Sequence, residues 1–167
     1  ADIDVGADGS IYVGTMQNVE IEGGATILWS HDGYEGSWTV FDEYVEYIEN
    51  HWQYNVPGRT IIAAAPSDEN VVYAALAAGE DVDFIRYRGR YILKSTDKGE
   101  TWDDIFIPDP DWSTLAWHAF LLEVDPNDAN AVFAGGLDLW KTTNSGGSWN
   151  HISDWALMYN GGGDSYV

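Results

Sequence analysis

Ser95-Thr96-Asp97-Lys98-Gly99-Glu100-Thr101-Trp102 returns as Thr142-Thr143-Asn144-Ser145-Gly146-Gly147-Ser148-Trp149, and more loosely as Ser30-His31-Asp32-Gly33-Tyr34-Glu35-Gly36-Ser37-Trp38. Ahead of each copy lies a strand-like run: Ser10-Ile11-Tyr12-Val13-Gly14, Val71-Val72-Tyr73-Ala74-Ala75 and Ala131-Val132-Phe133-Ala134-Gly135. The aromatics Tyr12, Tyr73 and Phe133 are 61 and 60 residues apart, which sets the length of the repeating unit. Repeats of this length are supersecondary units that bury their apolar faces only against one another.

Within a unit the pattern reads as four short strands. The second unit predicts strands over 60–64, 71–76, 91–95 and 101–105, and the third over 119–124, 131–135, 139–143 and 148–152. Apolar and β-branched enrichment, short lengths and Gly/Pro/Asp punctuation favour strands over helices. The fold class is therefore all-β, with three four-stranded antiparallel propeller blades. Their expected bounds are 1–58, 59–117 and 118–167. Three blades cannot close a propeller, which takes at least four, so the remaining blades of the same protein or companion chains are the expected partners. The segment 159–167 reads as a loop leading into a further strand.

The turn explains itself physically. A carboxylate or amide at Asp32, Asp97 or Asn144 can accept bonds from its own turn. Ser30, Ser95 and Thr142 open it, Gly36, Gly99 and Gly146 permit a positive φ, Thr101 and Ser148 tie it, and Trp38, Trp102 and Trp149 cover it. In the first copy one extra residue separates Ser30 from Trp38, and Gly33 and Gly36 share the glycine role, so a bulged turn is expected there.

This turn resembles the Asp-box, or bacterial neuraminidase repeat, of sialidases, sortilin-type receptors, xyloglucanase-type glycoside hydrolases and secreted bacterial β-propellers. The run Val124 to Gly136 followed by Leu139-Trp140-Lys141-Thr142-Thr143 is similar to a whole blade of the xyloglucanase or sortilin-like kind. The resemblance implies a secreted or cell-surface location and a structural role for the box. Sialidases clamp their substrate with three dispersed arginines, whereas Arg86, Arg88 and Arg90 crowd one segment here. The xyloglucanase type implies a catalytic aspartate near Met16-Gln17-Asn18, where this chain has no acid. No catalytic residue is assigned on either count.

Composition narrows the partners. Acidic residues number 28 against 7 basic ones, a formal net charge of −21. Such a chain repels nucleic acid and anionic lipid. There is no cysteine, hence no disulfide, thiolate catalysis or cysteine zinc site, and no stretch has the apolar length of a membrane span.

Specificity is expected in the insertions, since loops on a rigid scaffold carry function. Residues 41–54 form an acidic aromatic segment with a short expected helix, 79–90 form an insertion loop, and 107–118 form a third. Trp52, Tyr54, Trp112 and Trp117 are the candidate ligand-binding residues, because indole and phenol rings stack on sugars while neighbouring carboxylates bind hydroxyls. The same residues would equally serve packing. No cofactor is expected. Asp109-Pro110-Asp111 and Asp81-Val82-Asp83 could each offer oxygen to calcium but lack the spacing of a dedicated calcium loop, and no metal site is assigned. His118 reads as a hydrogen-bonded core residue. The leading reading is a non-catalytic extracellular propeller segment binding a glycan or protein. The alternatives are part of a xyloglucanase-like hydrolase propeller or a sortilin-like receptor or scaffold.

Overall fold

The computed structural model describes residues 1–18, 20, 22–80 and 85–156. They form three four-stranded antiparallel sheets in which each strand pairs with its neighbour in sequence. The first holds β1 (Asp2–Val5), β2 (Ile11–Gly14), β3 (Ile27–Ser30) and β4 (Thr39–Phe41), and is followed by helix α1 (Glu43–Glu49). The second holds β5 (Val56–Ala64), β6 (Val72–Glu80), β7 (Arg86–Ser95) and β8 (Asp103–Ile105). The third holds β9 (Leu121–Asp125), β10 (Asp128–Gly135), β11 (Leu139–Thr142) and β12 (Asn150–His151). The sheets are the blades of a β-propeller fold.

Successive blades align in parallel. The carboxylates of Asp2 and Asp4 on β1 accept the backbone N–H groups of Ile62 (2.9 Å) and Ala64 (2.7 Å) on β5. Two apolar seams result, one between the first and second sheets around Tyr12, Ile27, Val72 and Leu93, the other between the second and third around Tyr73, Ile92, Leu122 and Val132. The middle blade is buried on both sides, which is why β6 shows no alternation of burial along almost its whole length.

The recurrent turn also fastens blade to blade. The Tyr12 hydroxyl donates to the Lys98 carbonyl (3.1 Å), and the Tyr73 hydroxyl to the Ala129 carbonyl (2.8 Å) and to Ser145 Oγ (3.0 Å). Lys98 and Ser145 are equivalent residues with φ of 62° and 53°, each just ahead of its turn glycine. Lys98 Nζ donates across the same seam to Asp8 (2.8 Å) and within its own blade to Glu69 (2.9 Å). The hydrogen bond from Lys98 holds the Asp8 carboxyl down at about 2.

Inside the second turn, Ser95 Oγ donates to Asp97 Oδ1 (2.8 Å) and accepts the Gly99 N–H (2.8 Å), while Asp97 accepts the Thr101 N–H (2.9 Å) and hydroxyl (2.5 Å). The third turn repeats this with Thr142, Asn144, Gly146 and Ser148. In the first, Ser30 Oγ meets Gly33 N–H (2.9 Å) and Ser37 Oγ (2.5 Å). The glycine tied to the turn's opening hydroxyl is therefore Gly33, not Gly36, and the distortion expected from the extra residue is present. The covering indoles also differ in detail. Trp102 donates to the Gly99 carbonyl of its own turn (3.1 Å), whereas Trp149 reaches across the seam to the Phe106 carbonyl (2.7 Å), and Trp38 packs in neither apolar seam. Because Ser95 is 1% exposed and central to its turn, Ser95→Ala is expected to cost about 1–3 kcal/mol by stranding the Gly99 N–H. Urea unfolding checks this, and an unchanged midpoint would show that the hydroxyl is dispensable.

Two expectations need correction. Residues 79–90 are not a loop inserted between short strands: β6 runs on to Glu80 and β7 starts at Arg86, extending one hairpin with a register shift between Leu76 and Ala77. The second sheet begins at Val56, inside the segment assigned to the first unit. The expected loop over 159–167 and the pair Asp81 and Asp83 lie outside the described residues.

Candidate functional site

Antiparallel order decides which loops can act together. With four consecutive strands per blade and the blades aligned in parallel, the β2–β3, β4–β5, β6–β7 and β8–β9 connections share one end of the molecule, and the recurrent turns lie at the other. The insertions thus gather opposite the turns that hold the scaffold.

Among the described residues, an open hollow at this end is built on α1. Glu43 and Glu46 occupy its first turn, where negative charge suits the helix dipole, and Ile48 is fully buried beneath it. The chain then turns sharply. His51 Nδ1 accepts the N–H groups of Gln53 (3.2 Å) and Tyr54 (2.9 Å), so its ring proton sits on Nε2. This fold-back pushes Trp52 outward to 84% exposure, its indole stacked on His51 with centroids 6.0 Å apart. Tyr47, 60% exposed, stands edge-on to Tyr44 (5.6 Å) and Tyr91 (5.7 Å). Burial, with Asp104 nearby, pushes the Tyr44 hydroxyl up to about 12. Glu43, Glu46, Tyr47, Asn50, His51 and Trp52 line an open hollow of about 580 Å³. Its aromatic walls and carboxylate and amide rim can stack on a ring and bind hydroxyls.

The other candidates fare differently. Tyr54 is half-buried in the seam, with the Arg90 guanidinium 4.2 Å above its ring, so that face is taken. Trp112 is 2% exposed and packs against Phe120 (5.4 Å), where a Cβ on Gly89 would come within 2.5 Å of its indole. It is a packing residue and cannot stack on a ligand. Trp117 is 54% exposed beside His118 at the same end as Trp52. His118 is exposed too, contrary to the core position expected for it. Asp109 accepts the Asp111 N–H and Asp111 pairs with Arg88, which accounts for that acidic pair as a turn and an ion pair. Among the described residues no group of three or more histidines and carboxylates could hold a metal ion, and no helix is long and apolar enough to cross a membrane. Tyr47 and His51 escaped the reading of the sequence as site residues. The spacing of Tyr44 and Tyr47 on one helical face was the available signal.

No protein-family model matches the chain. A xyloglucanase of Acetivibrio thermocellus is 32% identical over 105 residues, 60% of this chain and 12% of the relative. A xyloglucanase of a Paenibacillus species is 29% identical over 122 residues, 70% of this chain and 11% of the relative. The chain thus spans only about an eighth of the length of these curated relatives. Among solved structures, the GH74 enzyme of Niastella koreensis superposes with a TM-score of 0.59 at 25% identity, over 92% of this chain and 21% of that one. YCF48 from Cyanidioschyzon merolae superposes with a TM-score of 0.62 at 16% identity, over 95% and 42%, a likeness of fold alone. The chain is a run of three propeller blades similar in sequence to short stretches of xyloglucanases.

Proposed function

We propose that the chain is a polysaccharide-binding segment of a xyloglucanase-like propeller, acting outside the cell, and that its recurrent turns are Asp-boxes. The observation that carries this is the indole of Trp52, held out beside Tyr47, Glu43, Glu46 and Asn50 at the loop end. An exposed indole fixed by a fold-back costs little further ordering when a sugar ring stacks on it. The ligand is a β-glucan of the xyloglucan type, which the similarity to xyloglucanases supports. Binding is favoured over cleavage because the position just after β2, where the resemblance implies a catalytic aspartate, has Gln17 and Asn18, and Asn18 Oδ1 is occupied by the Glu20 and Glu22 N–H groups.

Affinity electrophoresis of the chain in xyloglucan gels is expected to show retardation that Trp52→Ala reduces at least about tenfold, in line with loss of a binding hot spot. Equal retardation of wild type and variant, or none for wild type, would reject this reading. Release of reducing sugar by the chain itself would shift the assignment to hydrolysis.

A further inference from the structure

The fold-back that presents Trp52 is held by a different kind of acceptor from other turns of this chain. In the turns at Asp8, Asn18, Asp68 and Asp109, a carboxylate or amide oxygen accepts the N–H two residues ahead. At His51 the same duty falls to an imidazole nitrogen, which accepts the N–H groups of Gln53 at 3.2 Å and Tyr54 at 2.9 Å. An amide does not titrate and an ordinary carboxyl does so near pH 4, whereas histidine changes its charge between about pH 5 and 8. Mild acid therefore removes an imidazole acceptor and spares the other two kinds.

A proton on Nδ1 would stand where two N–H hydrogens already point, so both bonds must break when it arrives. What they hold is the placement of Trp52, whose indole stacks on the His51 ring with centroids 6.0 Å apart, while the Tyr54 ring lies 5.8 Å from it. The charged and titratable groups around the turn favour the same outcome. Glu43, Glu46 and Tyr47 of α1 share the hollow with His51, so an imidazolium has two carboxylates to turn towards. Arg90 of β7 lies 4.2 Å over the Tyr54 ring, a cation that repels a second one there. Glu80 of β6 accepts the Gln53 side-chain amide at 3.1 Å, which engages it with the far side of the turn.

We propose that His51 is a proton-operated latch on the hollow. It is closed, with Trp52 held in place, when the imidazole is neutral, and open when Nδ1 carries a proton. The latch needs no ligand. Its effect on a bound polysaccharide rests on the polysaccharide-binding reading: acid frees the indole platform and turns the imidazolium onto the carboxylates of the rim, so retention weakens as pH falls.

NMR of the 167-residue chain, titrated from about pH 8 to 5, reads the latch directly. The Gln53 and Tyr54 amide protons are expected to move upfield together, with the midpoint of the His51 ring protons. The Gly99 amide, inside the second recurrent turn, should stay in place and report an intact blade. His51→Asn is expected to abolish the movement, because an amide oxygen at this position accepts the same two N–H groups and does not titrate. Xyloglucan retardation should fall over the same range towards the level of Trp52→Ala in the wild type and stay constant in His51→Asn. Gln53 and Tyr54 amides that hold still while the His51 ring titrates, a ring that stays neutral down to about pH 5, or a movement that survives His51→Asn would each overturn the latch. Amides that move as expected in a chain retained by xyloglucan at no pH would uphold the latch and reject the polysaccharide reading.

Discussion

Trp112→Ala is expected to destabilise the chain by about 3–5 kcal/mol in denaturant unfolding, the range for emptying a buried indole site. The side chain is 2% exposed and fills the space over Gly89, where the backbone of the β8–β9 connection is also stitched to β7 by Gly89 N–H to Ser113 O (2.9 Å) and Ala116 N–H to Tyr87 O (3.1 Å). A cavity there cannot collapse easily, because those bonds hold its walls apart. One term opposes the loss. Trp112 Nε1 is buried without a hydrogen-bond partner, so deleting it recovers about 1–3 kcal/mol of desolvation, which is smaller than the packing lost. Trp112→Phe separates the two effects: it keeps most of the ring, drops the N–H, and should lie close to wild type. Xyloglucan retardation should persist in both variants at temperatures where they are folded. A Trp112→Ala chain with wild-type stability and no binding would place this indole at a ligand instead.

Trp112 also shows where a sequence stops being legible. Its neighbours, Asp109, Pro110, Asp111 and Ser113, are those of an exposed loop aromatic, as are those of Trp52. What buries it is Gly89, a residue on β7 whose missing side chain leaves room for an indole. By contrast the turns around Asp97 and Asn144 were legible because every bond that closes them lies within a few residues along the chain. The extended β6–β7 hairpin was hidden for another reason. β6, covered on both faces, loses the alternation that identifies strands, so Ala77-Ala78-Gly79 gives no strand signal, whereas on β7 Arg86, Arg88 and Arg90 alternate with the buried Tyr87, Gly89 and Tyr91, a signal masked by reading the charged run as a loop. At the site, Trp52 was recognisable from its setting, while Tyr47 depended on a helix of only 7 residues placing it beside that indole.

Gly14→Val should be as damaging as the loss of Trp112, by the opposite mechanism. The backbone of Gly14 is ordinary, with no positive φ, so conformational freedom is not what demands glycine. Space is. A Cβ built on Gly14 would lie 2.8 Å from the Thr60 carbonyl carbon and closer still to its oxygen, both main-chain atoms of the next blade. Thr60 cannot retreat, since its N–H is bonded to the Thr15 carbonyl at 2.8 Å and the residue is fully buried. The substitution must therefore pry the first blade from the second, at a cost of about 3 kcal/mol or more for overpacking a seam of this kind. Gly9→Ala supplies the contrast, because Gly9 has φ of 89° and nothing within 4 Å of the added carbon. It should cost only the roughly 1–2 kcal/mol of a left-handed alanine. Thermal unfolding of the two variants would decide the matter: a Gly14→Val chain no less stable than Gly9→Ala would mean that the blades sit further apart than their hydrogen bonds across Thr15 and Thr60 require.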